Sequence, residues 1–401
     1  GAGGVRLCQA AVGRGSAPVW AAARAAEMEE DWAASEVGGF RGRDAYKIQL
    51  RNEKPSQKEG AWTSTNGLYA RLRVAGAAAR SMLVTAAATR FGVAPAKCET
   101  QAGWVRNTLS GARLSYGELA RDAARLPVPA NPPLKNPADF KLVGKSFPRR
   151  DTPAKTNGSA RYGVDVALPG MLNATIRIAP VIGGKVRAVQ NEKAVLQQPG
   201  MRRVITLDNA VIAVADHYWQ AQRAAALLDI TFVAGDNAAL STAMIDDMAE
   251  KGLDNGKAVP VVARGDALKI LDATPGQVIE GRYSVPHLAH AAMEPMNATV
   301  HVQKDRVDVW GSIQSTDATV ATVAKICGLP ESQVFLHIDF LGGSFGGKHV
   351  PAFLAQATHA ALTLGRPFHP LRRRHLATQL DRSRPPTKTH LPPLRRTSAY
   401  R

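Results

Sequence analysis

Residues Leu341–Lys348 read LGGSFGGK, four glycines around one serine and one phenylalanine, closed by a lysine. They follow a strand-like run, Gln333–Phe340 (QVFLHIDF), and precede an Ala-rich segment, Pro351–Leu364, that reads as a helix. Glycine permits positive φ and leaves N–H groups uncovered. A strand, a Gly-rich turn and a helix in that order can therefore bring backbone donors close to a phosphate or another polar group. The same residues also suit a tight strand–helix connection with no ligand. The spacing is neither GxGxxG nor GxxxxGK[ST], so neither nucleotide fingerprint applies. Lys348 reads as a cation that steadies a phosphate or is merely solvated, and His349 as a loop or surface residue. His287 and His290 are three apart, a metal spacing on a helix, but no third ligand accompanies them, and no metal site is expected. Glu294, in MEPMN, is either a buried carboxylate near a site, which would need partners, or a turn residue.

The chain has 401 residues, long enough for two or three domains with their own cores. Its three cysteines, Cys8, Cys98 and Cys327, are far apart in sequence. They form no disulfide framework or zinc motif and fall short of the four thiolates of an iron–sulfur cluster. No apolar run approaches the length of a membrane span, and no secretory signal is recognisable at the N-terminus. The net charge of +18 suggests nucleic acid until it is mapped. Residues Arg366–Arg401 hold ten Lys or Arg against one acid, Asp381, which is half of the excess in 36 residues. No zinc finger or RNA-binding aromatic signature accompanies them, so a solvated basic tail is expected and a nucleic-acid partner is not.

The elements that must position the Gly-rich turn can be read from the pattern. Residues 1–60 carry one expected helix, Ala21–Trp32, and otherwise little period. Trp62–Phe91 reads as a long helix with a small-residue face, ended by Gly92. Trp104–Val105 reads as a short strand. Ser115 and Glu118 form a capping box for a helix over Tyr116–Ala124. Five prolines in Pro127–Pro137 mark an extended linker. Lys141–Val233 alternates short strands and helices, beginning with strands at Arg161–Val166 and Leu172–Ile178. Further on, Gln277–Pro286 reads as a strand, Ala298–Gln303 and Arg306–Trp310 as a hairpin, and Gln314–Gly328 as a helix.

Taken together and in order, YSVPHLAHAAMEPMNATVHV, VWGSIQST and LGGSFGGK resemble the large, molybdenum-cofactor subunit of the xanthine dehydrogenase / aldehyde oxidoreductase family, in its isoquinoline 1-oxidoreductase beta-subunit branch. DTPAKTNGSARYGVDVALPGMLNATI resembles that family's α/β-hammerhead domain. The resemblance implies an α+β fold, an α/β-hammerhead module plus part of the molybdopterin-binding domain of molybdenum hydroxylases. The implied organisation is a poorly matched segment at 1–60, a helical segment with the Pro-rich linker at 61–138, the hammerhead at 139–235, a partial molybdopterin-binding domain at 236–368 and a basic, disordered tail at 369–401. It also implies a site. Gly342, Gly343, Ser344, Phe345 and Gly346 match the loop that lies against the molybdopterin, although the family usually has a third glycine where Ser344 stands. Gln314 matches a glutamine that hydrogen-bonds near the molybdenum. A carboxamide suits that place because it donates without adding charge. Away from a cofactor Gln314 would be a helix-start surface residue.

The implied cofactor is molybdopterin, as its cytosine dinucleotide, with molybdenum. The implied partner is a small 2Fe–2S iron–sulfur subunit. The implied reaction hydroxylates an aldehyde or an N-heterocycle with oxygen from water, in the periplasm or cytoplasm or attached to a membrane through a partner. The family's general-base glutamate belongs to a GxGE motif that follows a second cofactor-binding region, and no such motif follows Phe368 here. The catalytic residue is therefore unassigned, with Glu294 as the remaining candidate, and the chain reads as an incomplete large subunit. The competing expectation is a non-catalytic remnant or partner-binding scaffold.

Overall fold

The computed structural model describes residues 61–371, apart from 142, 145, 147–150, 255–264, 267–268, 271–272, 274–277 and 287, together with residues 387–395. The helix expected at Ala21–Trp32 lies outside them. The described chain divides into two units. One combines the residues up to Asn173 with Ala292–Leu371, and the other runs from Ala174 to Ala291 and takes the strand Thr387–Arg395.

In the first unit, the alanine run of Ala61–Phe91 forms one helix, which Gly92 ends at a φ of 67°. Its buried face carries Leu83, Ala86 and Ala87. Small side chains there let Val105, Leu119 and Ala123 approach closely, from the antiparallel strand Trp104–Asn107 and the helix Tyr116–Ala123. The capping box that opens the second helix is formed. The Ser115 N–H donates to Glu118 Oε2 at 2.8 Å, and the Glu118 N–H to Ser115 Oγ at 3.3 Å. The proline-rich segment has no helix or strand until the short turn Pro137–Asp139. It is nonetheless held to the long helix, because Arg73 donates to the Lys135 carbonyl at 2.7 Å and lies over the Phe140 ring.

Four strands of this unit run in the order Val334–Ile338, Val307–Gly311, Thr299–Val302 and Phe368–Leu371. The first two are parallel, joined by the crossover helix Thr316–Cys327, whose C-terminus is closed by Gly328 at a φ of 66°. The remaining pairs are antiparallel. The helix Ala352–Ala361 buries Phe353, Leu354, Ala357 and Ala360 against this sheet and the crossover helix. The Gly-rich turn thus leaves the end of one sheet strand and enters one of the helices that cover the sheet.

Arg161–Val166, expected as a strand, is instead a single turn, Gly163–Asp165, flanked by an isolated bridge between Tyr162 and Phe340. The Asp165 carboxylate accepts from the Tyr162 N–H at 2.9 Å and closes the turn on itself. Alternation of Tyr162, Val164 and Val166 mimics a strand, but Val164 is exposed.

In the second unit, Leu172–Ile178, which brings the chain across from the first, neighbours Ala210–Ala215, which neighbours Met201–Leu207. The middle strand, AVIAVA, is buried along its whole length, hence its continuous apolar run. Lys185–Val189 pairs with Ile230–Val233. The residues expected to form a disordered tail are corrected on two counts. His369–Leu371 belong to the sheet strand Phe368–Leu371 of the first unit, and Thr387–Arg395 pairs antiparallel with Val278–Val285. The register of that second pair shifts between Leu391 and Leu394, across Pro392 and Pro393. Proline has no N–H to give a ladder, and the bulge takes both prolines out of it. Arginine and proline content therefore masks a strand whose partner is a hundred residues away.

Two measurements test this framework. Ser115→Ala removes the cap and is expected to cost about 1 kcal/mol, read as a lower denaturation midpoint; an unchanged midpoint would show that the cap contributes nothing. His369 is buried, with Nδ1 at 2.6 Å from Thr299 Oγ1, and burial pushes its pKa down to about 4. The unfolded imidazole takes up a proton near pH 6.5 and the folded one does not. Stability is therefore expected to fall as pH drops from about 6.5 to about 4, by roughly 3 kcal/mol in all. His369→Gln should flatten that part of the pH–stability curve; an unaltered slope would remove His369 as its cause.

Candidate functional site

The site is built around one buried ion pair. Lys348 Nζ lies 2.6 Å from Glu294 Oε2, and both side chains are about 95% covered, with 5% and 4% exposed. The same oxygen accepts from the Gly342 N–H at 2.9 Å. Oε1 accepts from Asn297 Nδ2 at 3.0 Å and from the Val164 N–H at 3.3 Å, and lies 2.9 Å from Ser312 Oγ. Four separate stretches of chain, the 163–165 turn, MEPMN, the end of the Val307–Gly311 strand and the Gly-rich loop, therefore meet on one carboxylate. Burial opposes ionisation of Glu294, but the Lys348 ammonium and the surrounding donors outweigh it and hold the carboxyl below its usual range. Burial likewise pulls Lys348 below the usual lysine value, and the attraction of Glu294 only partly offsets it. The asymmetry has a plain cause: the carboxylate has several donors to stabilise its charge, whereas the ammonium has one carboxylate.

Close approach fixes the residue types around the pair. A side chain at Gly342 would put its Cβ 2.4 Å from Glu294 Cβ, and one at Gly163 would reach 2.6 Å from Asn297 Oδ1. The Glu294 N–H also donates to the Gly342 carbonyl at 2.9 Å, so the loop's first glycine is bonded to MEPMN through both its backbone groups.

Beyond Gly342 the loop is pinned a second time. The Lys348 N–H donates to Ser344 Oγ at 2.8 Å, and that hydroxyl donates to Gln314 Oε1. The Gln314 N–H donates to the Lys348 carbonyl at 3.4 Å, and Ser315 Oγ stands 3.5 Å from His349 Nδ1. Between the two pins, φ is positive at Gly343 (93°), Phe345 (54°) and Gly346 (108°). Phe345 is the unusual member, a side chain in the left-handed region with 59% of its surface exposed. Among the described residues the amide N–H groups of Gly343, Ser344 and Gly346 donate to nothing in the protein. A short run of alternating backbone hand with uncovered N–H groups is the form that accepts anionic or strongly polar oxygens. These donors, with the Gln314 carboxamide beside them, suit a cofactor rich in such oxygens.

The residues singled out from sequence are therefore brought together: Gln314, Gly342, Gly343, Ser344, Phe345 and Gly346 form one continuous cluster, with Glu294 beneath it. Lys348 needs correction. It neither faces solvent nor waits for a phosphate, because its ammonium is committed to Glu294. His290 is half-buried, and His287 lies outside the described residues. Sequence reasoning missed Asn297, Ser312 and the 163–164 turn. Asn297 had a local signal, three residues after Glu294, but the others are joined to it only by folding.

Residues 252–392 match the molybdopterin cofactor-binding domain. They belong to that domain family. The matched span contains Glu294, Gln314 and the whole loop. It also runs past Phe368 into the strand Thr387–Arg395, so the cofactor-binding region does not stop where the sequence suggested. The isoquinoline 1-oxidoreductase subunit beta of Brevundimonas diminuta is 30% identical over 353 residues, 78% of this chain and 45% of that protein. The membrane-bound aldehyde dehydrogenase (pyrroloquinoline-quinone) of Gluconacetobacter polyoxogenes is 26% identical over 375 residues, 90% of this chain and 47% of that protein. This chain thus spans about half the length of the curated relatives it matches. The crystal structure of an aldehyde oxidoreductase from Desulfovibrio gigas superposes with a TM-score of 0.50 at 20% identity, covering 64% of this chain and 33% of that one. That likeness is one of fold, and it agrees with the α+β class read from the sequence.

The ion pair at the centre of this molybdopterin-binding domain is directly testable. Glu294→Gln leaves a buried ammonium without its counter-charge and is expected to cost about 3–5 kcal/mol, measured by chemical denaturation. Glu294→Gln combined with Lys348→Met should recover much of that loss, since no charge is then stranded. Equal costs for the single and double variants would show that the two charges are not coupled.

Proposed function

We propose that this chain is the molybdopterin-binding part of the large subunit of a molybdenum-dependent oxidoreductase. In this reading it acts on aldehydes or N-heterocycles such as isoquinoline, introduces oxygen from water and passes electrons to a small 2Fe–2S subunit. The observation that carries the reading is that the matched cofactor-binding span contains the loop whose amides at Gly343, Ser344 and Gly346 are left as donors among the described residues. The substrate classes are those in the names of the isoquinoline and aldehyde enzymes it is similar to. The cytosine dinucleotide form of the cofactor comes with the same resemblance. With three cysteines, this chain cannot supply the four thiolates of a cluster, which favours a partner as their source. No helix among the described residues is long and apolar enough to cross a membrane. A periplasmic or cytoplasmic setting, with any membrane attachment made by a partner, fits that observation.

Bound in this loop, molybdopterin would supply molybdenum as a two-electron redox centre. The chain's own residues do the rest of the binding work. The amides of Gly343, Ser344 and Gly346 would donate to the group's oxygens, and Gln314 would add a neutral donor that brings no charge of its own. The exposed Phe345 ring would cover the loop with apolar surface and exclude water there. Glu294 does not fit the role of proton acceptor. A general base works best with a pKa near the working pH, and this carboxylate is held ionised by a lysine and a set of donors that fill both oxygens.

The test is the metal content of the full chain co-expressed with an iron–sulfur partner. Elemental analysis is expected to find molybdenum close to stoichiometric with the chain. Gly343→Ala forces a side chain into the left-handed region at a cost of about 1–2 kcal/mol, and should lower retention roughly tenfold. A folded preparation without molybdenum would sink the proposal; a bound quinone in its place would point to the cofactor named for the Gluconacetobacter relative.

A further inference from the structure

We propose that the outer face of the three-stranded sheet Cys98–Gln101, Trp104–Asn107 and Arg113–Ser115 is a docking surface for an acidic segment of a partner protein. Arg106 and Arg113 grip its carboxylates, and Trp104 and Leu109 anchor its apolar side chains. This surface is independent of the molybdopterin reading, because none of its residues belongs to the Gly-rich loop or to the cluster around Glu294.

The inner face of this sheet serves the fold. Val105 is fully buried there, and Cys98 and Leu114 pack against the same core as the long helix. The outer face carries Glu99, Gln101, Trp104, Arg106 and Arg113, all exposed. The Asn107 N–H donates to the Ala112 carbonyl at 2.8 Å. The next cross-strand pair, Arg106 opposite Arg113, is therefore of the non-hydrogen-bonded kind, in which facing side chains stand closest. Like charges placed directly opposite are destabilising. Little in the protein relieves them. The Arg113 guanidinium lies over the Trp104 ring, 4.7 Å from its centroid. Glu99 stands opposite Arg106 on the other strand, but among the described residues neither makes an ion pair. The acids of the adjacent helix are engaged, Glu118 in the cap with Ser115 and Asp122 with Arg90 at 2.6 Å. The turn between the strands is fixed, because buried Asn107 accepts from the Leu109 N–H at 2.9 Å, yet it holds Leu109 69% exposed. A well-anchored face that keeps a tryptophan and two arginines in solvent has the composition of an interface hot spot. Its charge selects the occupant. A peptide brings isolated carboxylates, which guanidinium forks bind well, and apolar side chains for the two anchors. A nucleic-acid backbone brings an unbroken row of phosphates, which Glu99 repels.

The probe is a fluorescent synthetic peptide that alternates glutamate with leucine, titrated with the full chain and read by anisotropy. Wild type is expected to bind it. Arg106→Thr combined with Arg113→Thr should weaken binding at least about tenfold, and Trp104→Ala by a similar factor. Residues Arg366–Arg401 hold ten Lys or Arg and attract any polyanion, so the deciding quantity is the difference between wild type and the double variant. Equal binding by the two would place the interaction on other cations and overturn the proposal, as would no binding by wild type. A single-stranded oligonucleotide that binds more tightly than the peptide, and is lost in the double variant, would overturn the choice of partner. A denaturation midpoint separates docking from a role in the fold. Arg106→Thr removes a like-charge contact and adds a residue suited to strands, so the midpoint should stay level or rise. A lowered midpoint would assign Arg106 to the fold and overturn its role as a docking residue.

Discussion

The structure around the loop depends on a charge that has been taken out of water. A buried ion pair recovers its desolvation cost only with good geometry and with hydrogen bonds to the remaining lone pairs. Glu294 meets that condition from the backbone of Val164 and Gly342 and the side chains of Asn297, Ser312 and Lys348. The condition also runs in reverse. Those donors belong to segments up to 184 residues apart in sequence, from Val164 to Lys348, so none of them is in place until the first unit has assembled. Apolar residues of similar volume could fill the same space with no loss of stability. They would not specify that Gly342 sits against MEPMN in one register, as a carboxylate with directed lone pairs does.

That specificity explains how the loop between Gly342 and Lys348 can hold an unfavourable backbone. Phe345 in the left-handed region costs on the order of 1–2 kcal/mol, and strained residues persist only where the surroundings over-determine them. Here both ends are over-determined, Gly342 by Glu294 and the Ser344–Lys348 stretch by Gln314. The amides left over in the middle are then a consequence of the pinning. A loop free to relax would turn them onto its own carbonyls or into water, and pre-organised donors would be lost. The ion pair and the uncovered amides are thus two ends of one device: the charge is buried so that the donors can remain exposed.

Much of this was legible in the sequence, and the boundary of legibility follows sequence distance. The capping box at Ser115, the parallel strand before the loop and the helix after it depend on local period and local side chains, and each was readable. The residues lining the loop were readable because the loop is contiguous and Gln314 sits in an ordered motif before it. Lys348 was not, because its environment is set by a glutamate 54 positions earlier. The turn at Gly163–Asp165 failed for a different reason. Alternating Tyr, Val and Val outweighed the signal from Asp165, whose carboxylate folds back onto the Tyr162 N–H. Thr387–Arg395 failed because Pro392 and Pro393 read as breakers. A bulge converts them into a tolerated interruption only when a partner strand is present.

The same geometry separates binding from proton transfer. A hydroxylation that draws oxygen from water needs a group to accept a proton, yet the acids near the loop are otherwise engaged. Glu294 is committed to Lys348. Asp339, just before the loop, has Oδ1 3.5 Å from Arg161 Nε. Asp308, on the neighbouring strand, is held by Arg306 at 2.6 Å and by His337 at 2.7 Å, and although burial opposes its charge these partners keep its carboxyl below the usual range. Glu294 and Asp308 are held ionised and tied down, a state suited to holding strands and loops in place and poorly suited to exchanging protons near neutral pH. In the proposed reaction, therefore, this network holds the cofactor's surroundings rigid, and the proton acceptor has to be a group outside it. A site whose scaffold carboxylates are kept at low pKa can let that acceptor titrate without loosening the loop, which is a reason for the two roles to fall on different residues.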